Sequence, residues 1–76
     1  MVGEKVWQDF AKSLLKAELK RKSVTYKDLA NRLTAAGTME SDVNLANKIS
    51  RGGFSAAFLL QCLHAAGCTT VSIIKD

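Results

Sequence analysis

The amino-acid sequence predicts an all-α domain of four to five helices that ends in a short C-terminal β-strand. Its 76 residues contain no proline, which suits a mostly helical chain because proline interrupts helices. Apolar residues recur at helical spacing in several segments, and later segments begin at a Ser or Thr that can act as an N-cap. A chain of this length forms a single domain over residues 1–76, with its core over about residues 6–68.

The first helix is predicted from about Gly3 to Lys22. Val6, Phe10 and Leu14 lie on one broad apolar face, because residues three and four apart in sequence are neighbours on a helix. The other side of this helix is polar and includes three lysines spaced by four residues: Lys12, Lys16 and Lys20. Like charges at this spacing repel each other weakly. Taken alone, however, this polar side is better explained as a solvated helix face than as a binding site.

The second helix is predicted to begin after Thr25, which has the character of an N-cap. Thr25 and Asp28 have the spacing of a capping box, with Asp in place of Glu, and Val24 can pack onto Leu29. Gly37 is a natural residue to end this helix, because glycine adopts the left-handed conformation at little cost.

A third, shorter helix is predicted between the cap Ser41 and Gly52. Val43, Ala46 and Ile49 recur every three residues, so we expect them to be turned inward. The outer face then carries short amides and long cations, the side chains that meet base edges and phosphates: Asn44, Asn47, Lys48 and Arg51. Because asparagine is a poor helix former, the two exposed asparagines favour a binding role. They can equally serve only to solvate the helix.

The fourth helix is predicted to begin after the cap Ser55, with Phe54 placed to pack onto Leu59. Residues 56–66 are apolar on nearly every side, which indicates a buried central helix, and Gly67 ends it.

The tail over residues 69–74 is β-branched and roughly alternating, which predicts one short strand. A single strand needs a partner, and no other strand is predicted in the chain. We therefore expect the tail to pair with that of a second molecule, in a homodimer backed by the outer face of the fourth helix.

Catalysis and metal binding find little support in the sequence. His64 is the only histidine, and in the apolar fourth helix we expect it to be structural and at least partly buried. Cys62 and His64 point about 200° away from each other on a helix, so they cannot share a metal ion. The sequence has no glycine-rich phosphate loop and no suitably paired carboxylates. We expect neither an enzyme nor a cofactor.

Cysteine usage and hydropathy favour a reduced, cytoplasmic protein with no membrane partner. Cys62 and Cys68 are too far apart for a disulfide if both lie on one helix. The N-terminal residues lack the profile of a signal peptide. The longest apolar stretch, from Phe54 to Cys68, is interrupted and too short to span a bilayer.

Positive charge is concentrated in the first half of the chain. The net charge of the whole chain is +4. Residues 1–35 hold eight basic and four acidic side chains, whereas residues 36–76 hold three of each. This distribution favours a polyanionic partner such as nucleic acid.

Three segments resemble lambda-repressor-like (Cro/XRE-type) helix-turn-helix domains. The opening helix of that motif has Ser or Thr and a polar residue before Leu-Ala-x-x-Leu, a pattern found here at residues 25–33. Residues 48–52 are similar to the end of the recognition helix, where Ile-x-Arg-Gly recurs, and residues 63–68 resemble the end of the fourth helix. The chain also resembles a family of small uncharacterised bacterial proteins with Arg-Gly-x-Phe-Ser, here at residues 51–55.

The resemblance implies sequence-selective binding of double-stranded DNA by a bacterial transcriptional regulator. In the family the third helix enters the major groove, where Asn44, Asn47 and Lys48 would face bases. Family members commonly bind two-fold related half-sites as dimers, which agrees with the expected homodimer. Arg51 could instead anchor the third helix internally. The family positions that meet phosphate correspond to four residues of this chain: Tyr26, Lys27, Arg51 and Ser55.

The chain departs from the family pattern in two places. The connection from Thr34 to Asp42 is predicted to be about six residues longer than the usual tight turn, which would tilt or displace the recognition helix. Gly53 stands where the family often has a basic residue. Two alternatives therefore remain: a protein-protein interaction module on the same scaffold, and a non-specific nucleic-acid binder that needs only the basic first half.

Overall fold

Four helices make up the secondary structure of residues 3–74, the part of the chain that the computed structural model describes. They are α1 (Gly3–Arg21), α2 (Tyr26–Ala35), α3 (Asp42–Arg51) and α4 (Ala56–Ala65). The predicted all-α class is confirmed, and each predicted helix is present within two residues of its expected start.

Side-chain caps begin the three shorter helices, as their sequences predict. The Thr25 hydroxyl accepts a hydrogen bond from the backbone N–H of Asp28, and the Asp28 carboxylate accepts one from the backbone N–H of Thr25. Ser41 and Ser55 cap α3 and α4 in the same way, each through its hydroxyl oxygen. Each cap satisfies a backbone donor that the first turn of a helix leaves unpaired.

The core lies where α1 and α2 pack against α3 and α4. Two leucines of α1, Leu15 and Leu19, are buried there, and the larger part of α1 on the N-terminal side of Leu15 contains no fully buried residue. Removing this apolar surface from water is the main favourable contribution to folding. The fully buried large side chains are Leu15, Leu29, Leu45, Ile49 and Cys62.

The inward face of α3 differs from the prediction. Val43 is 64% exposed, whereas Leu45 and Ile49 are fully buried. Residues at a strict spacing of three drift around a helix by about 60° per step, whereas residues four apart differ by only about 40°. Leu45 and Ile49 therefore share one face, and Val43 lies on nearly the opposite side.

Helix α4 is not buried on all sides. Cys62 and Leu63 face the core, but Leu60 is 65% exposed. His64, expected to be partly buried, is also exposed. Helix α4 packs one face against α1 and α2, and apolar residues on its other face remain in contact with solvent.

The expected strand over residues 69–74 is not present in the described part of the chain. No backbone–backbone hydrogen bond within residues 3–74 involves this segment. Val71 packs against the core, while Ile73 and Ile74 are 70% and 74% exposed. The physical reason is the one that the sequence indicates: a β-ladder needs a second strand, and residues 3–74 supply none.

Gly52 brings α1 close to the C-terminal end of α3. It has a φ of 73°, in the left-handed region, and a Cβ atom placed on it would lie 3.1 Å from the backbone oxygen of Gln8. One turn further along α1, Lys12 Nζ donates a hydrogen bond to the backbone carbonyl of Ser50 at 3.4 Å. These contacts fix the end of α3 against α1.

Candidate nucleic-acid interface

The outer face of α3 presents unpaired amides to solvent. Asn44 and Asn47 are exposed, and neither side-chain amide makes a hydrogen bond within residues 3–74. Arg51, one turn beyond Asn47, is exposed and forms no ion pair with a described residue. Because residues 44, 47 and 51 are three or four apart, their side chains line one side of the helix. We call the exposed residues Val43, Asn44, Asn47 and Arg51 the α3 face.

Lys48 differs from the other predicted base contacts because it already has partners. Its ammonium forms an ion pair with Glu40, whose side chain is only 6% exposed. Its Nζ also lies 5.4 Å from the centroid of the Phe58 ring, a cation–π contact. The structure therefore places Lys48 at the edge of the α3 face, where it links α3 to the preceding loop and to α4.

The connection between α2 and α3 is shorter than the sequence indicates. Helix α2 continues to Ala35, which leaves six residues, 36–41, outside helices. A helix-turn-helix turn has about three to four residues, so the excess is about two or three residues rather than about six. The Thr34 hydroxyl accepts a hydrogen bond from the backbone N–H of Glu40 and donates one to its carbonyl, at 3.5 and 3.4 Å. Glu40 therefore attaches the connection to α2 through Thr34, and to α3 through its ion pair with Lys48.

A basic groove, which the sequence analysis did not identify as a site, lies where the second half of α1 meets the start of α2. It has a volume of about 250 Å³. Neither of its lysines forms a salt bridge within residues 3–74. The sequence signal was the four-residue spacing of the α1 lysines, but only the fold shows that this row reaches the α2 cap. The groove is lined by Lys16, Leu19, Lys20, Val24, Thr25 and Tyr26.

The predicted phosphate contacts lie at two helix starts and at the end of α3. Tyr26 is half-buried against the core, and its neighbour Lys27 is exposed. Ser55 is exposed, and its hydroxyl oxygen accepts the N–H of Phe58 at 3.0 Å, so its own O–H remains available to donate. Tyr26 lines the basic groove and Lys27 follows it in sequence, whereas Arg51 and Ser55 flank the short loop between α3 and α4.

The cysteines are free thiols in different surroundings. Cys62 is fully buried, and this burial raises its pKa to about 11. Cys68 is half-buried, and its Sγ donates a hydrogen bond to the carboxylate of Glu18 at 3.4 Å. Arg21 also binds this carboxylate, and its hydrogen bond holds the pKa of Glu18 below its ordinary value. Within residues 3–74 no three His, Cys, Asp or Glu side chains are grouped as metal ligands.

The fold and this surface define a small four-helix protein with an amide-bearing helix and a basic groove. A family model described as Domain of unknown function (DUF6471) matches residues 7–71, and the chain belongs to that family. No curated protein and no solved structure matches the chain. None of the helices described here combines the length and the apolar character that a membrane crossing requires.

Proposed function

We propose that this chain is a lambda-repressor-like helix-turn-helix domain that binds double-stranded DNA with sequence selectivity, as a cytoplasmic transcriptional regulator of a bacterium. In this proposal α2 and α3 form the helix-turn-helix, and α3 enters the major groove. The observation that carries the proposal is the α3 face, where Asn44 and Asn47 are exposed without hydrogen-bond partners in the described chain. An asparagine amide can pair with the N6 and N7 atoms of adenine through two hydrogen bonds.

Charge supports the same orientation on DNA. Lys27 is exposed and unpaired within residues 3–74, and it follows Tyr26, which lines the basic groove together with Lys16 and Lys20. Arg51 and Ser55 supply a second group of exposed donors, at the C-terminal end of α3 and just before α4. Cations and hydroxyls of this kind are suited to the phosphates that border a major groove.

The tail supports a homodimer. Residues 69–74 have unpaired backbone groups within the described chain, and Ile73 and Ile74 are exposed. The first part of the tail lines a groove of about 290 Å³ together with α4. Antiparallel pairing of two tails would satisfy these backbone groups and cover the exposed Leu60 of α4. The groove is lined by Leu60, Leu63, His64, Cys68, Thr69, Thr70 and Val71.

Selection from a random duplex library, followed by binding measurements at several salt concentrations, tests the proposal. We expect an enriched consensus, two-fold related half-sites, and a loss of affinity as salt is raised. Enrichment of no sequence, with steep salt dependence, would instead identify a non-specific nucleic-acid binder. Absence of duplex binding at low salt would contradict the proposal.

A protein-protein interaction module is the second candidate function. The observation that favours it is the exposure of Trp7, which is 55% exposed on the N-terminal half of α1 and stacks edge-on against Phe10. Exposed aromatic residues are enriched where proteins bind each other. Retention of one specific protein from lysate, together with no binding of any duplex, would favour this candidate.

A further inference from the structure

Two apolar side chains lie exposed at the N-terminal end of α3. Val43 is 64% exposed and Met39, in the preceding connection, is 82% exposed. Met39 and Asn44 line one shallow depression, and Val43 is the sequence neighbour of Asn44. An amide is therefore flanked by two apolar groups that the core does not use.

The cation on this turn of α3 is already engaged. Lys48 is bound by Glu40 and lies over the Phe58 ring, and Arg51 is at the far end of the helix. Arginine and lysine are the side chains that most often pair with guanine in the major groove. The N-terminal half of the α3 face therefore offers amides and methyl groups and no free cation from the described residues.

We infer that this half of the α3 face, together with Met39, recognises A·T base pairs, with Asn44 and Asn47 on adenine and with Val43 and Met39 on the methyl groups of thymine. The inference rests on the proposed DNA binding and adds the class of base pair. Adenine offers the donor and acceptor pair that an amide matches, and thymine alone among the bases carries a methyl group in the major groove.

The spacing of the side chains fits contacts to neighbouring base pairs. Val43 and Asn47 are four residues apart, so they lie one above the other on α3, about 6 Å apart along the helix axis. Successive base pairs are about 3.4 Å apart, so two side chains at this distance reach pairs one or two steps apart. A contact of Val43 with one thymine methyl is therefore compatible with a contact of Asn47 with an adenine nearby.

Asp42 is the exposed carboxylate closest to this surface in sequence. Its Oδ1 accepts a hydrogen bond from the backbone N–H of Val43 at 2.9 Å, at the very start of α3. This position is off the α3 face, because residue 42 is about 200° from Asn44 and about 140° from Asn47 around the helix. The carboxylate would repel nearby phosphates, but it would not block contacts made by the α3 face.

The test replaces thymine by uracil, which lacks only the methyl group, at each position of the selected duplex in turn. We expect at least one replacement to weaken binding of the parent protein about fourfold, the change for burying one methyl-sized group. The Val43→Ala variant, or the Met39→Ala variant, should then be insensitive to that same replacement. Val6→Ala, the same truncation on α1, should keep the full response to uracil.

The outcomes separate this inference from the proposed function. Tight, selective duplex binding that is indifferent to uracil at every position would overturn the inference and leave DNA binding intact. A selected half-site without A·T pairs would do the same. Absence of any duplex binding would overturn both. Val43→Ala removes an exposed side chain, so circular dichroism should show an unchanged helix content.

Discussion

Arg32 Nη1 donates a hydrogen bond to the backbone carbonyl of Ala65, with the two atoms 3.0 Å apart. The bond joins the last turn of α2 to the last residue of α4, whose carbonyl has no partner within its own helix. A cation is also favoured there because the C-terminal end of a helix dipole is negative. Arg32 therefore contributes to the net positive charge of the first half but acts between two helices.

Arg32 and Lys27, two cations of the same helix, should respond differently to loss of charge. Arg32→Gln should lower the free energy of unfolding by about 1 kcal/mol and leave the salt dependence of DNA binding unchanged. Lys27→Gln should leave stability nearly unchanged and reduce the salt slope by about one unit, because one phosphate contact is lost. Urea unfolding measures the stability of the two variants, and duplex titrations at several salt concentrations measure their salt slopes. A smaller salt slope for Arg32→Gln would show that this side chain contacts phosphate.

Asn47→Ala should distinguish base contacts from general affinity. On the selected site we expect a loss of about 1–3 kcal/mol in binding free energy, and on a random duplex almost none. Gln61→Ala, at an exposed amide of α4 beside the end of α2, is the matched control and should change neither affinity. Fluorescence anisotropy with both duplexes gives the comparison. Equal losses on the two duplexes for Asn47→Ala would exclude a base contact by this residue.

Truncation to alanine should affect stability very differently at two leucines of α4. Leu63 is 6% exposed, so Leu63→Ala should cost about 2–5 kcal/mol and could unfold so small a domain. Leu60 is 65% exposed, so Leu60→Ala should change the stability of the monomer by less than about 0.5 kcal/mol. Thermal unfolding in dilute solution measures both variants. Similar melting temperatures for the two would contradict the orientation of α4.

Three glycines should respond differently to alanine. Gly53 has no positive φ, so Gly53→Ala should be nearly neutral. Gly37 has a φ of 100° in open space, so alanine there should cost about 1–2 kcal/mol from the backbone alone. Gly52 has a φ of 73° and a close neighbour at Gln8, so its alanine variant should be the least stable. Denaturant unfolding ranks the three, and a Gly52→Ala variant as stable as Gly37→Ala would contradict the close approach of α1.

The tail should control self-association. Deleting residues 70–76, or replacing Ser72 by proline, should convert a dimer into a helical monomer, because either change removes backbone donors from the ladder. Ser72→Ala is the matched control and should remain dimeric. Sedimentation at tens of micromolar protein decides the question. A single species near 8.2 kDa for the intact chain would exclude the dimer.

Local sequence signals predicted the helices well. Thr25, Ser41 and Ser55 are caps in the structure because a cap depends on residues only three positions away. The inward face of α3 was predicted wrongly because a spacing of three was preferred over the pair Leu45 and Ile49, which are four apart. A short apolar segment does not by itself show which of two overlapping patterns the neighbouring helices cover.

The candidate site was predictable only in part, because exposure and pairing depend on distant residues. The exposure of Asn44 and Asn47 followed from the sequence of α3. The partner of Lys48 did not, because Glu40 is eight residues earlier and in a loop whose path no periodicity predicts. Helix α2 ends at Ala35, just before Gly37, as its sequence predicts, but the connection was overestimated because it was counted from Thr34, which lies inside α2.

Because the thiol of Cys62 is buried, its rate of alkylation reports how often this domain opens. Because the pKa of Cys62 is about 11, its thiol is ionised to the reactive thiolate in about one molecule in ten thousand at neutral pH. The closed fold shields even that fraction from alkylating reagents. Alkylation of Cys62 therefore requires the helices to separate, and its rate measures how often the whole domain opens. Alkylation of the half-buried Cys68 requires only that the segment after α4 detaches. The alkylation rates of the two thiols therefore report global and local unfolding separately, without the introduction of another cysteine.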